Sequence, residues 1–422
     1  MGNTNDHGTG RRAAAALLPL LLAALTACQS AGGQEPGAEA KGTPSPTPVF
    51  DVRLDDQLSA ATRATQAAGT ARFTSTLSYG SAKGTAVDRA SGDQDYARDL
   101  ARAGRELTVP RRFPADAAAD LGRRPGERPV TESYVVEGNQ VDYRTRQGGW
   151  LRYSSQASMD VVDLFDGILQ RAGDAAPYGG TLAEVVRNAD ATKQPVKAAD
   201  GSRTYELTVT PQIAAPALPE SLQGPLKYDK GSSRIALTVV LDDKGRLRRA
   251  SADYTPALER MHEEGLLKGV TSLKAEYSLT GLGSTRPPGP ADEGAKVEDA
   301  EKALTPLTEV EPGACGSADT GLGGSLLLVR VVPCGTKADL RVFGQVKVNE
   351  TVQGDPDGVA QRKAGDRCGA KFGSAPRAWV ADARPEDTYF TYGAGATSFA
   401  YTGPDVDVEG DYTCYVVTSG RL

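Results

Sequence analysis

The 422 residues carry 48 Lys and Arg against 54 Asp and Glu, a formal charge of −6, and that balance argues against a nucleic-acid partner, which needs a basic face to neutralise phosphates. Hydrophobic residues make up 39% of the chain and charged residues 24%, fitting soluble globular structure with room for about two or three domains. Aromatics are sparse at 6%, while 48 Gly and 26 Pro point to β-structure with many turns. The 2 histidines, His7 and His262, exclude a multi-histidine metal site. They leave a catalytic triad only if a nucleophile and an acid meet His262 in space.

Residues 1–27 read as an export leader. A polar head carries Arg11 and Arg12, an apolar core runs from Ala13 to Leu25, and small residues approach Cys28. The core falls short of the roughly 20 apolar residues of a bilayer span, but its length and positive flank fit a secretory signal. Leu25-Thr26-Ala27-Cys28 resembles the bacterial lipobox, in which a signal peptidase cuts before a diacylglycerol-modified cysteine. The competing reading is an ordinary signal peptide with a chance cysteine. The resemblance implies that Cys28 is the lipidation site and that the membrane is a partner, on its extracytoplasmic face. Two acyl chains anchor stably because each buried CH₂ contributes about 0.8 kcal/mol. Residues 28–49, the lipidated cysteine and a flexible tether, have too little apolar bulk to fold. Their "TPSPTP" favours extended backbone.

Residues 50–284 read as the first folded domain. Leu54, Leu58, Ala61, Thr65 and Ala68 recur at helical spacing, with Gly69 placed to cap the helix. A strand follows with Phe73, Ser75 and Leu77 on one face, and residues 132–155 hold two or three short strands with turns at "EGNQ" and "QGG". Helical spacing returns at 158–173 through Met159, Val162, Leu164, Phe165, Ile168 and Leu169, and a shorter helix is expected at 180–190. Residues 202–210 form another strand. The clearest hairpin turns at Asp242–Gly245, and a strand from Val270 closes the sheet. The acidic pairs Asp242/Asp243 and Glu263/Glu264 read as a turn and a solvated face, and His262 sits in a charged helix-like stretch.

This order gives an α+β fold, a curved antiparallel half-barrel sheet with helices on one face. "AGTARFTSTLSYG", "VEGNQVDYRTRQGGWLRYSS" and "LTVVLDDKGRLRRASADY" resemble the LolA-like lipoproteins, including the mycobacterial lipid-carrier group. The resemblance implies an incomplete barrel that, in some members, holds acyl chains between sheet and helices. No residue identifies a ligand head group.

The Pro/Gly-rich, charged residues 285–302 read as a linker. Beyond them, residues 303–422 hold Cys315, Cys334, Cys368 and Cys414. In an exported chain these read as two disulfides, with three connectivities open. The expected pairing is Cys315–Cys334 and Cys368–Cys414, closing about 20 and about 47 residues and contributing about 3 and 4 kcal/mol. A four-thiolate zinc site lacks any C-x-x-C pair. "GACGSADTGLGGSLLLVRVVPCGTKADLRVFGQVKV", "RCGAKF" and "FTYGAGATSFAYTGPDVDVEGDYTCYVV" resemble the septum formation domain of actinobacterial membrane proteins. Val332-Pro333-Cys334 and Gly410-Asp411 with Cys414 carry the likeness. The histidine usual after the second cysteine is absent, with Lys337 and Ala338 there instead. The usual tryptophan before the last Gly-Asp gives way to Val406 or Val408. The resemblance implies a small, mainly β domain near the division septum.

Asp405–Asp411 imitates the start of a calcium loop but has Val416 where the bidentate glutamate belongs. "GDPDG" at 354–358 reads as a turn, and "GAGATS" lacks the Gly-Lys-Ser/Thr of a phosphate loop. No nucleophile elbow, zincin motif or cysteine–histidine pairing is present, so no enzyme, cofactor or metal site is expected. The expected function is that of a membrane-anchored extracytoplasmic lipoprotein of the cell envelope, binding an amphipathic lipid or a protein partner. The alternative is a cell-surface adaptor or sensor acting near the septum through residues 303–422.

Overall fold

In the computed structural model the described residues are 48–138, 140–154, 181–227, 233–289, 291, 294–321, 328–335, 338–353, 356–381, 388–391, 397–402 and 404–418. The leader, Cys28, nearly all of the tether and the helix expected at 158–173 lie outside them.

Among the described residues, twelve strands form one sheet. A first meander comprises β1 (Thr70–Ser81), β2 (Gly84–Asp95), β3 (Leu100–Thr108), β4 (Thr131–Glu137), β5 (Gln140–Arg144) and β6 (Trp150–Ser154). A second comprises β7 (Val196–Lys197), β8 (Arg203–Val209), β9 (Ile235–Leu241), β10 (Leu247–Asp253) and β11 (Val270–Thr280). Antiparallel pairing of β1 with β11, with Leu77 opposite Ala275 and Tyr79 opposite Leu273, joins the two meanders into a curved half-barrel. The alternation read at Phe73, Ser75 and Leu77 holds: all three are buried on one face, here the inner face. The β9–β10 turn closes at Asp242, whose Oδ1 accepts from the amides of Lys244 and Arg246. Gly245, at φ +76°, supplies the left-handed residue that the turn requires.

The helix Gln57–Gln66 packs Leu58, Ala61 and Thr65 toward the core, and Gly69 follows it at φ +85°. A second helix, Leu182–Arg187, is capped by Thr181, whose hydroxyl accepts from the Ala183 amide at 3.1 Å. The two helices touch each other and the β10 side of the sheet, sharing one core with Phe73, Tyr79, Leu237 and Val239.

Residues 285–302 add structure to the half-barrel. β12 (Val297–Asp299) pairs in parallel with β6, so that Val297 lies opposite Trp150. Ala291 and Ala295 pack on the outer face against Leu100, Val135 and Trp150. Asp299 caps the short helix Ala300–Ala303 by accepting from the Glu301 amide.

The C-terminal region builds a second, 7-stranded sheet among its described residues, with β13 (Thr305–Pro306), β14 (Cys315–Ser317), β15 (Leu328–Val332), β16 (Leu340–Gln353), β17 (Thr388–Thr391), β18 (Thr397–Thr402) and β19 (Asp405–Val417). β16 and β19 form its long antiparallel ribbon. Thr47–Leu422 form one compact unit. The turn expected at 354–358 is corrected: a helix starts at Pro356 and runs to Ser374. Proline suits a first helical turn, where its missing amide costs nothing. The buried Ala360, Ala364 and Cys368 recur every fourth residue along it.

Candidate functional site

Strands β4, β5 and β6 place Tyr134, Tyr143 and Tyr153 on the inner face, with Tyr134 directly opposite Tyr143 and Val141 opposite Tyr153. The β14–β15 hairpin lays Ser317–Gly321 against them. The Tyr143 hydroxyl donates to Asp319 Oδ1 at 2.8 Å, Tyr153 donates to the Thr320 carbonyl, and Tyr134 donates to Glu132 and reaches the Gly321 carbonyl at 3.4 Å. The Tyr134 and Tyr143 rings lie 5.4 Å apart and tilted. Gly321 sits at φ +81°, and a Cβ there would fall 2.5 Å from the Tyr143 ring, so only glycine lets the backbone come this close.

Charge completes the seam. Asp319 Oδ2 accepts from the Arg146 amide at 2.7 Å. Asp339 Oδ2 accepts from Ser317 Oγ and the Ala318 amide, both at 2.9 Å, and from Arg146 Nη2 at 3.0 Å. Both carboxylates are almost fully buried, with side-chain exposures of 7% and 3%. Burial opposes the charge on Arg146, but Asp319 and Asp339 outweigh it and raise its pKa. Burial, reinforced by Asp319, raises the Tyr143 hydroxyl far above its ordinary range, and burial does the same for Tyr153. Both therefore stay protonated donors at any physiological pH. At the edge of the seam Arg330 reaches Glu298 of β12 at 2.6 Å, and the hydrogen bonds from Lys296 and Arg330 hold Glu298 below the usual carboxylate range.

These groups form a latch. Asp319 and Asp339 are engaged by fixed donors, and Tyr143 and Tyr153 donate without titrating. Deeper on the inner face, Arg105 grips Asp88 through two hydrogen bonds, Nε to Oδ1 at 2.8 Å and Nη2 to Oδ2. We expect Tyr143→Phe to lower stability by about 1.5–3 kcal/mol, the usual worth of a hydrogen bond to a charged group. Denaturant unfolding checks this, and an unchanged midpoint would show that the latch adds nothing to stability.

The expected cysteine pairs form: Cys315 bonds Cys334 and Cys368 bonds Cys414, with Cα–Cα distances of 5.2 and 5.5 Å. His262 lies half-buried on the helix Leu258–Glu263, its Nε2 3.1 Å from the Leu267 carbonyl. Glu263 and Glu264 both pair with Arg260. Asp405, Asp407 and Asp411 lie along β19 and reach Gln353, Thr351 and Lys347 of β16, and Val416 is a core residue of the same strand. Burial raises the carboxyl pKa of Asp99, in the β2–β3 turn, and of Asp120, which accepts from the Leu267 amide at 2.6 Å. Among the described residues no group of three or more His, Cys, Asp or Glu could hold a metal. The seam residues escape a reading of the chain in order. Their one local signal is tyrosine recurring on a single strand face between 134 and 153, and their partners lie about 170 residues further on.

No family model matches the chain, and no curated protein matches it. Among solved structures, LprF from Mycobacterium bovis is similar over 56% of this chain and 97% of its own, at 11% identity and a TM-score of 0.29. Mycobacterium tuberculosis lipoprotein LppX is similar over 56% and 100%, at 13% identity and a TM-score of 0.26. The MucA/MucB complex of Pseudomonas aeruginosa is similar over 86% and 95%, at 10% identity and a TM-score of 0.23. Superpositions this loose carry no functional inference, and the half-barrel stands on the chain's own strand order and register.

Proposed function

We propose that the chain is a lipoprotein held on the extracytoplasmic face of the cell membrane by diacylglycerol on Cys28, spaced from the bilayer by residues 29–48, since Val49 is already buried in the half-barrel core. In this reading the half-barrel is a non-enzymatic binding module for an amphipathic lipid. The observation that carries it is the pairing of Cys315 with Cys334 and Cys368 with Cys414. Disulfides belong to an oxidising compartment, and the pairing leaves Cys28, behind its apolar leader, as the one cysteine to account for. Away from the Asp88–Arg105 pair and the tyrosine latch, the inner face is lined by apolar side chains such as Phe73, Leu77, Leu237 and Val239 and closed on one side by helices, which suits an acyl chain better than a polar ligand.

A protein partner in the envelope, near the septum as the C-terminal resemblance implies, is the second reading. Tyr401 on β18 favours it, since this large aromatic is 71% exposed and aromatics are enriched at protein interfaces.

Cys28→Ala is expected to abolish incorporation of a palmitate analogue and to move the protein from the membrane to the soluble fraction. Persistent labelling of that variant would refute the anchor. Organic extracts of a form beginning at Gln29 are expected to contain a stoichiometric lipid by mass spectrometry. A lipid-free extract beside a retained envelope protein would favour the second reading.

A further inference from the structure

The two disulfides differ in a way that the tether and the lipid reading do not explain. Cys368 and Cys414 are both fully buried, at 0% exposure. Cys315 is buried, but its partner Cys334 is exposed. The Cys334 sulfur lies 3.6 Å from the Gly313 carbonyl, which accepts from Arg341 Nε at 3.1 Å. Arg341 is itself fixed: it stands opposite Cys315 in the β14–β16 register, and its Nη1 donates to the Ala378 carbonyl at 2.6 Å. Its guanidinium also faces the Trp379 ring at 5.8 Å. A held cation thus shares one carbonyl with an accessible disulfide sulfur. Such a setting draws in an attacking thiolate and stabilises the sulfur anion that exchange releases.

The same bond closes the hairpin that makes the latch. Cys315 pairs with Val332 at the start of β14, and Cys334 follows two residues after Val332. The segment between them carries Ser317–Gly321, which the three tyrosines grip. We infer that Cys315–Cys334 is a thiol–disulfide exchange site for a protein dithiol, and that opening it loosens the β14–β15 hairpin from the inner face of β4–β6.

The exchange is a two-electron transfer. A thiolate of the dithiol attacks Sγ of Cys334. The Cys315–Cys334 bond breaks, its electron pair leaves on Cys315 Sγ, and that sulfur takes up a proton. The second thiol of the dithiol, deprotonated, then attacks the mixed disulfide and frees Cys334 as a thiolate. The protein gains two thiols and the partner leaves as an internal disulfide. Reduction leaves Tyr134, Tyr143, Tyr153 and Asp339 in place but removes the covalent closure of the hairpin that presents Asp319, Thr320 and Gly321 to the tyrosines.

The test uses the full chain in mild detergent without denaturant. It is titrated with dithiothreitol, quenched with iodoacetamide and read by peptide mass spectrometry. Alkylation of Cys315 and Cys334 is expected at least about tenfold ahead of Cys368 and Cys414. Amide hydrogen exchange at Ala318–Gly321 is expected to rise as the first pair opens. Arg341→Gln should slow the opening several-fold while Arg341→Lys retains it, which separates the charge from packing against Trp379. Simultaneous opening of both pairs, or unchanged protection at Ala318–Gly321 once Cys315–Cys334 is reduced, would overturn the inference.

Discussion

Asp88→Ala is expected to lower the stability of the half-barrel by about 3–5 kcal/mol, the cost of removing one partner of a buried ion pair. Asp88 on β2 and Arg105 on β3 point into the inner face, with side-chain exposures of only 4% and 9%. Leu77 and Leu107 flank Asp88, while Arg105 lies between Ala90 and Glu132. The guanidinium engages both carboxylate oxygens, a fork geometry that offsets much of the desolvation cost while the pair is intact. Alanine keeps that cost for Arg105 and removes this carboxylate. The double variant Asp88→Leu/Arg105→Met should recover most of the loss, because exchanging a whole buried pair for apolar groups is commonly neutral or stabilising. Denaturant unfolding of the three variants measures both outcomes. An Asp88→Ala protein within about 1 kcal/mol of the parent would mean that water reaches the pair. The comparison also bears on ligand binding, since the pair is a polar point on the face proposed to take an acyl chain.

The half-barrel is legible in the sequence wherever one strand face is apolar and the other polar. Phe73, Ser75 and Leu77, the Asp242–Gly245 turn and the Leu58/Ala61/Thr65 stripe all announce their elements through periods that local geometry imposes. Cysteine parity is equally readable, because pairing is a matter of count as much as of space. The helix Pro356–Ser374 is not readable in this way. Its buried face is Ala360, Ala364 and Cys368, residues too small to stand out against the polar positions between them, and "GDPDG" at its start carries strong turn chemistry. β12 is hidden for a different reason. Three residues in a charged, Pro-rich stretch become a strand only because β6, some 145 residues earlier, offers them a free edge in parallel. The seam is the least legible part. Tyr143 and Tyr153 look like ordinary inward strand residues, and Asp319 like a loop acid. What makes them a site is their meeting across the chain, which no local period encodes.

The same small-faced helix carries the second large effect. Cys368→Ala/Cys414→Ala is expected to cost about 4 kcal/mol, the loop-closure worth of a bond whose partners are 46 residues apart. The bond ties the helix Pro356–Ser374 to the C-terminal part of β19. Beyond it, the helix's deepest contacts come from Ala360 and Ala364 against Val348, Val406, Val408 and Tyr412. Alanine methyl groups bury little apolar area, so apart from Phe372, whose ring meets Phe343 at 5.7 Å beside the bond, apolar packing gives the helix only a weak hold on the sheet. Loss of the disulfide should therefore act unevenly. Hydrogen exchange along 356–374 is expected to rise well before exchange in β16 and β19, whose long antiparallel ribbon does not need the bond. Alanine is the better replacement than serine, because it places no unsatisfied hydroxyl in a site at 0% exposure. Uniform loss of protection across β16, β19 and the helix would show that the disulfide is integral to the whole C-terminal sheet. Unchanged protection of the helix would show that Phe343, Phe372 and Trp379, which pack around the same bond, hold the helix without it.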